Sequence, residues 1–233
     1  MNIMNTLHGK ELKIEERNLI DRHGNRRVGN YMATSTGYKY WPFDPKPEEI
    51  YIEAIAHHLA TKARWAGATQ HRRFKSRIFF AVAEHSVYVA DYVRDVLKRP
   101  DLELEALLHD APEYVIGDLI RPLKYSPSFR APFLELEDLN EAVVAKRFNL
   151  VHPFPREIKI ADEAVTEAEH QQIIFWHPDE GGETVELHET KAVANIEIKM
   201  LEPYPAKEFF LDAYYNAIAR REEYRPLPQA FRV

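Results

Sequence analysis

The chain has 233 residues, 45% of them hydrophobic, and a formal net charge of −6 at pH 7 with His neutral. This supplies one sizeable core, and the acidic balance speaks against a broad nucleic-acid surface while leaving room for a local basic pocket. Cysteine is absent, which excludes disulfides, thiolate zinc sites and cysteine nucleophiles and leaves the 11 His as nitrogen ligands.

The N-terminal stretch MNIMNTLHGKELKIEERN has no apolar h-region, so no signal peptide is expected. No apolar run approaches the ~18 residues of a membrane span, and the expected location is cytoplasmic. Residues 1 to 43 are polar and punctuated. His23-Gly24-Asn25 and Thr36-Gly37 read as turns, and the run from Gly37 to Phe43 as a short strand. Residues 1–46 are therefore expected to form a small β-rich appendage, a hairpin or two, ahead of a helical domain over 47–233.

Pro47 suits the first turn of a helix, and Glu48 and Glu49 suit its positive end. Ile52, Ile55, Ala56 and Leu59 then share one face up to Trp65. A basic, Gly-containing segment spans Gly67 to Arg77. The next helix is expected over Phe79 to Leu97, with Val82, His85, Val89 and Val96 on a core-facing stripe. Leu104, Leu107 and Leu108 predict a short buried helix with His109-Asp110 at its C-terminal end, and Pro112 bends the chain after it. Ala131–Phe148 reads as a long amphipathic helix and Ile158–Trp176 as another. Residues 177–190 form an acidic loop, and a last helix over Ala206–Arg221 presents Phe210, Ala213, Tyr214 and Ala217. The reading is an all-α bundle of about five to seven helices with a small N-terminal β-hairpin.

The chemistry concentrates in His85, His109, Asp110 and Asp162. Imidazoles and carboxylates on apolar helical segments need partners. Two His and two Asp supply one another's if they share a divalent cation, and that donor set suits borderline-to-hard first-row metals such as Mn, Co, Fe, Zn or Ni, with Mg also compatible. On the residues alone, His85 also reads as a hydrogen-bonded core histidine and Asp110 as a helix cap. His57 and His58 read as structural or surface groups. His152, His177 and His188 have no ligand-like context, and His170 stands at most behind a ligand.

The pattern His…His-Asp…Asp, in the stretches AVAEHSVYVADYV and ALLHDAPEYVIGDLIRPLK, resembles the HD-domain phosphohydrolase superfamily. It is most similar to bacterial 5′-deoxynucleotidases and to prophage and phage HD hydrolases, which include a dATP triphosphohydrolase. The resemblance covers roughly residues 38–170. It implies an HD-domain helical bundle, a divalent metal on the four residues, a small nucleotide substrate and a homo-oligomer, for which the C-terminal helix is a candidate interface. It also implies that Glu113 and Asp118 act near the scissile phosphate as water activator and proton donor or ribose contact, and that Arg64-Trp65 hold phosphate and sugar or base. Asp110-x-x-Glu113 also fits a capping box, Asp118 a turn residue after Gly117, Arg64 a helix-end arginine on a solvated face and Trp65 a residue filling core. Arg72, Arg73, Lys75 and Arg77 form a basic cluster suited to a di- or triphosphate tail or to a plain charged loop. Lys124, in RPLK, is a further candidate phosphate contact, or equally a residue with no such role. The implied reaction releases phosphate from deoxynucleoside monophosphates or triphosphate from dNTPs, with a lean to purines. Hydrolysis of alarmones or cyclic dinucleotides, and a non-enzymatic nucleotide-sensing module, are the competing readings.

Overall fold

The computed structural model describes residues 20–179 and 189–224. The first part of the expected appendage and most of the acidic loop, with His188, lie outside the described residues. The N-terminal turns form where glycine permits them. Asp21 Oδ1 accepts from the amides of His23 and Asn25 around Gly24 (φ +80°), and Thr34 N donates to Tyr38 O around Gly37 (φ +82°). The second turn closes an antiparallel hairpin, β1 (Met32–Ala33) on β2 (Lys39–Tyr40), with Met32 opposite Tyr40. Tyr40 and Trp41 are buried. The Tyr40 hydroxyl donates to Asn140 Oδ1 at 2.7 Å, and Asn140 Nδ2 donates to Pro42 O at 3.0 Å, so the hairpin is bonded to a helix far along the chain. Buried Arg27 is ion-paired with Asp44 and Glu49.

Beyond this hairpin the described residues are mostly helical. A 3-10 turn over Pro47–Glu49 precedes α1 (Ile52–Thr61). A short hairpin, β3 (Gln70–His71) with β4 (Ser76–Arg77), precedes α2 (Val82–Asp91). The remaining helices are α3 (Glu103–Leu107), α4 (Glu113–Ile116), α5 (Arg121–Lys124), α6 (Arg130–Phe148), α7 (Arg156–Ile173) and α8 (Pro203–Tyr224). Helices α1, α2, α3 and α8 pack on one another, and α7 closes against α2 and α3. The apolar stripe of α8 (Ala206, Phe210, Tyr214, Ala217) is buried in this core, so a homo-oligomer contact through α8 would use its other faces.

The helix boundaries differ from expectation in three instructive places. Helix α1 stops at Thr61, so Arg64 and Trp65 leave the helix and enter a turn in which Trp65, Ala66 and Gly67 all have positive φ (57°, 51°, 77°). Helix α2 runs on into a π turn over Tyr92–Val96, with Leu97 N bonded to Tyr92 O, and the wider turn rotates Val96 out of the stripe to 57% exposure while Val82, His85 and Val89 stay buried. Helix α3 ends before His109, not after it, and residues 109–112 form successive turns that deliver Pro112 as the cap of α4.

An extended strap over residues 190–202 lies across α2 and α7. Buried Glu84 holds it by accepting from the amides of Lys199 (2.8 Å) and Leu201 (3.0 Å). Ala164 O accepts from Ala194 N, and Gln172 bonds Ile196 O and Ile198 N.

Candidate metal centre

Three elements deliver the four expected ligands. His85 comes from α2, His109 and Asp110 from the turns after α3, and Asp162 from α7. Ligand atoms of His85, His109 and Asp162 lie within 4.8 Å of one another. Asp110 Oδ2 joins them, 3.3 Å from His109 Nε2 and 3.5 Å from His85 Nε2, and Asp162 Oδ1 is 3.4 Å from His85 Nε2. Such separations are those of atoms each about 2.1 Å from a common cation.

Each imidazole is held from behind. His109 Nδ1 donates to Ala106 O at 2.7 Å, and His85 Nδ1 donates to Glu169 Oε1 at 2.5 Å. Both bonds place the ring proton on Nδ1 and direct the Nε2 lone pair at the cluster. Both Nε2 atoms are buried without a hydrogen-bond partner. Buried orphaned nitrogens facing carboxylates fit a cation better than a hydrogen-bonded core.

The electrostatics describe a cluster that favours positive charge among its side chains. Burial opposes the charge of Asp110, but His109, His85 and Arg64 hold its carboxyl well below the usual range. Asp162 is likewise depressed against burial, by His85 and Lys159. For His85, burial and Arg64 disfavour the proton, and Glu169 with Asp162 outweigh them, raising it to about 9.

Glu169 was not singled out from sequence, yet it organises the centre. Its second oxygen, Oε2, accepts from Arg64 Nε (2.9 Å) and Trp65 Nε1 (3.0 Å). One fully buried carboxylate thus ties a ligand imidazole to the Arg64-Trp65 pair. Arg64 Nη2 donates to Thr166 Oγ1 at 3.0 Å, and its guanidinium lies 3.9 Å from Asp110 and 3.8 Å from Asp162. The solvated-face reading of Arg64 is thereby excluded, and most of its donors face the protein. Asp162, Thr166 and Glu169 stand at i, i+4 and i+7 and so share one face of α7.

Glu113 and Asp118 flank the cluster. No side-chain cap forms at the start of α4, whose cap residue is Pro112, so the capping-box reading fails. Glu113 Oε2 is buried and orphaned, and burial, followed by the charges of Asp110 and Asp118, pushes its carboxyl well up. Gly117, at φ +88° and ψ 153°, turns the chain between the two acids. Burial also raises Asp118, against Arg64. Lys62, not anticipated, sits within the field of both acids. Burial lowers its amine and Glu113 and Asp118 support its charge. Lys124 donates to Glu137 at 2.7 Å, and Asp110 and Glu113 add to its stabilisation.

The basic cluster is placed elsewhere. Arg72 N and Nε donate to Gln172 O (2.8 Å) and Ile174 O (2.7 Å), at the C-terminal end of α7. Arg73 stacks on Phe74. The structure therefore does not bring Arg72 or Arg73 to the His85, His109, Asp110 and Asp162 cluster. His58 uses both ring nitrogens on backbone, Nδ1 to Tyr114 O and Nε2 from Ser35 N (2.9 Å each), and His152 pairs with Glu141.

No family model matches the chain. It is 42% identical over 138 residues to an uncharacterized protein of Rhodobacter capsulatus, a match covering 56% of this chain and 66% of that protein. It is 26% identical over 164 residues to the uncharacterized protein YfdR of Escherichia coli K12, covering 68% of this chain and 83% of YfdR. The chain thus spans just under two thirds of the length of the first of these relatives.

Proposed function

We propose that this chain is a metal-dependent phosphohydrolase of the HD-domain type acting on deoxynucleotides. It would release either phosphate from 5′-monophosphates or triphosphate from dNTPs. The observation that carries the reading is the pair of buried, partnerless Nε2 atoms facing Asp110 and Asp162. A divalent cation there would supply Lewis acidity toward a phosphoryl oxygen and bring a water's pKa toward neutral.

The other roles fall to the chain's own groups. Glu169 and the Ala106 carbonyl fix the two rings, so the ligand set needs little reorganisation. Glu113, buried with an unpartnered oxygen and raised by burial and by Asp110 and Asp118, orients the attacking water and in its ionised form takes the proton. Asp118, held up by burial, returns a proton to the leaving 5′ oxygen. Lys62 and Lys124 offset the phosphate's charge from the side of the two acids. Arg64 balances Asp110, Asp162 and Glu169 and shares Glu169 Oε2 with Trp65.

Product chromatography tests this, with deoxy- and ribonucleoside mono- and triphosphates incubated with the protein plus Mn or Co. Nucleoside and phosphate from monophosphates identify a 5′-deoxynucleotidase. Nucleoside and intact triphosphate identify a dNTP triphosphohydrolase. No turnover of either set, with metal bound, refutes the proposal and shifts the reading to alarmone-type substrates or sensing.

A further inference from the structure

The basic cluster has a setting of its own. A cleft of about 550 Å³ lies between the β3–β4 hairpin and the end of α7, lined by Gln70, Arg72, Lys75, Phe175 and Trp176. Phe175 and Trp176 are 53% and 42% exposed, which leaves ring surface open to stacking. The bond from Arg72 Nε to Ile174 O orients the guanidinium, and neither of its Nη groups has a partner among the described residues. Lys75, Arg73 and Arg77 likewise form no ion pair among the described residues, in a chain of net charge −6. The hairpin tip is braced from within, His71 stacking on Phe74 at 4.4 Å. The cleft therefore pairs open aromatic faces with cations that form no ion pair among the described residues, the two features that a base and its phosphates require.

We propose that this cleft binds a nucleotide, with the base on Trp176 and Phe175 and the phosphates on Arg72 and Lys75. It is a site of its own. Arg72 is bonded at Gln172, ten residues and about 15 Å along α7 from Asp162. The volume suits a single small ligand, and the chain's acidic balance opposes a tracked polymer backbone. Trp176 Nε1 approaches His170 Nε2 to 3.5 Å, and the His170 ring lies 6.2 Å from that of Trp65, so an occupant would adjoin the turn of α7 that carries Glu169.

Calorimetric titration of the full chain with dATP, without added metal so that nothing is turned over, reads this site independently of the proposed reaction. The expected result is one dATP bound per chain, weakened roughly tenfold or more in W176A and in K75E. Both replaced side chains are surface-exposed, so folding is not at stake. Absence of binding, or binding unchanged in both variants, overturns the proposal. So does inorganic triphosphate binding as tightly as dATP, which would leave only an anion site, or an oligodeoxyadenylate binding more tightly than dATP, which would make the cleft a nucleic-acid track.

Discussion

Helices α2 and α7 each carry two neighbouring ionisable residues that face opposite ways, Glu84-His85 and Asp162-Glu163. On the inner side His85 and Asp162 meet across 3.4 Å, and the His85 Nε2 has no hydrogen-bond partner. On the outer side Glu84 has both oxygens engaged, by the amides of Lys199 and Leu201 and the Tyr88 hydroxyl, and Glu163 Oε2 accepts from the amides of Glu189 and Thr190. All four are ionisable groups largely withdrawn from water. The difference lies in what completes them. Glu84 is completed by the protein's own backbone and the Tyr88 hydroxyl, whereas His85 Nε2 is buried with no hydrogen-bond partner among the described residues. A buried charge is a structural device in the first case and a candidate site in the second.

The comparison breaks first at His109. H109A is expected to lose bound metal and turnover together, to background, with helix content by circular dichroism unchanged. Metal retained at wild-type stoichiometry by elemental analysis would remove the inner cluster from the chemistry. E113Q should keep its metal and lose turnover by roughly 10²–10⁴-fold. Wild-type turnover in that variant would mean Glu113 handles no proton. E169Q keeps the shape but loses the charge behind His85, and metal affinity measured by competition with a chromogenic chelator should fall roughly 10- to 100-fold. The smallest and most discriminating change is E84Q, one residue from His85 but on the outer side. It presents an amide donor to backbone donors, and should cost about 1–3 kcal/mol in urea unfolding while metal affinity stays at the wild-type value. A drop in affinity matching that of E169Q would show that the two sides are not separable.

Much of this was legible in sequence. The 3-4 spacing from Val82 to His85 and Val89 placed His85 inward, and the structure buries all three. The glycine turns at 24 and 37 were readable because positive φ is what glycine offers. The left-handed turn at Trp65 and Ala66 was not readable, since neither residue advertises it, and so the helix was extended through Arg64. The π turn that exposes Val96 takes up one extra residue, and no residue type in 92–96 marks where it falls. Glu169 was passed over because a charged residue on a helix defaults to solvent. Its role shows only when α7 is laid against α2, a long-range fact that periodicity does not hold. The Lys124–Glu137 pair was hidden for the same reason, as was the placement of the basic hairpin at the end of α7.

Gly117 carries a consequence for how the two acids could be altered by substitution. A methyl group there would meet nothing within 4 Å, yet φ +88° with ψ 153° is a conformation open in practice to glycine alone. Room is plentiful and the backbone still forbids occupation. Any replacement would be relieved by swinging the peptide, and the first thing the swing displaces is Asp118. The spacing between the two carboxyls is thus set by a residue that has no side chain to contribute, at a position that contacts alone would rate as tolerant.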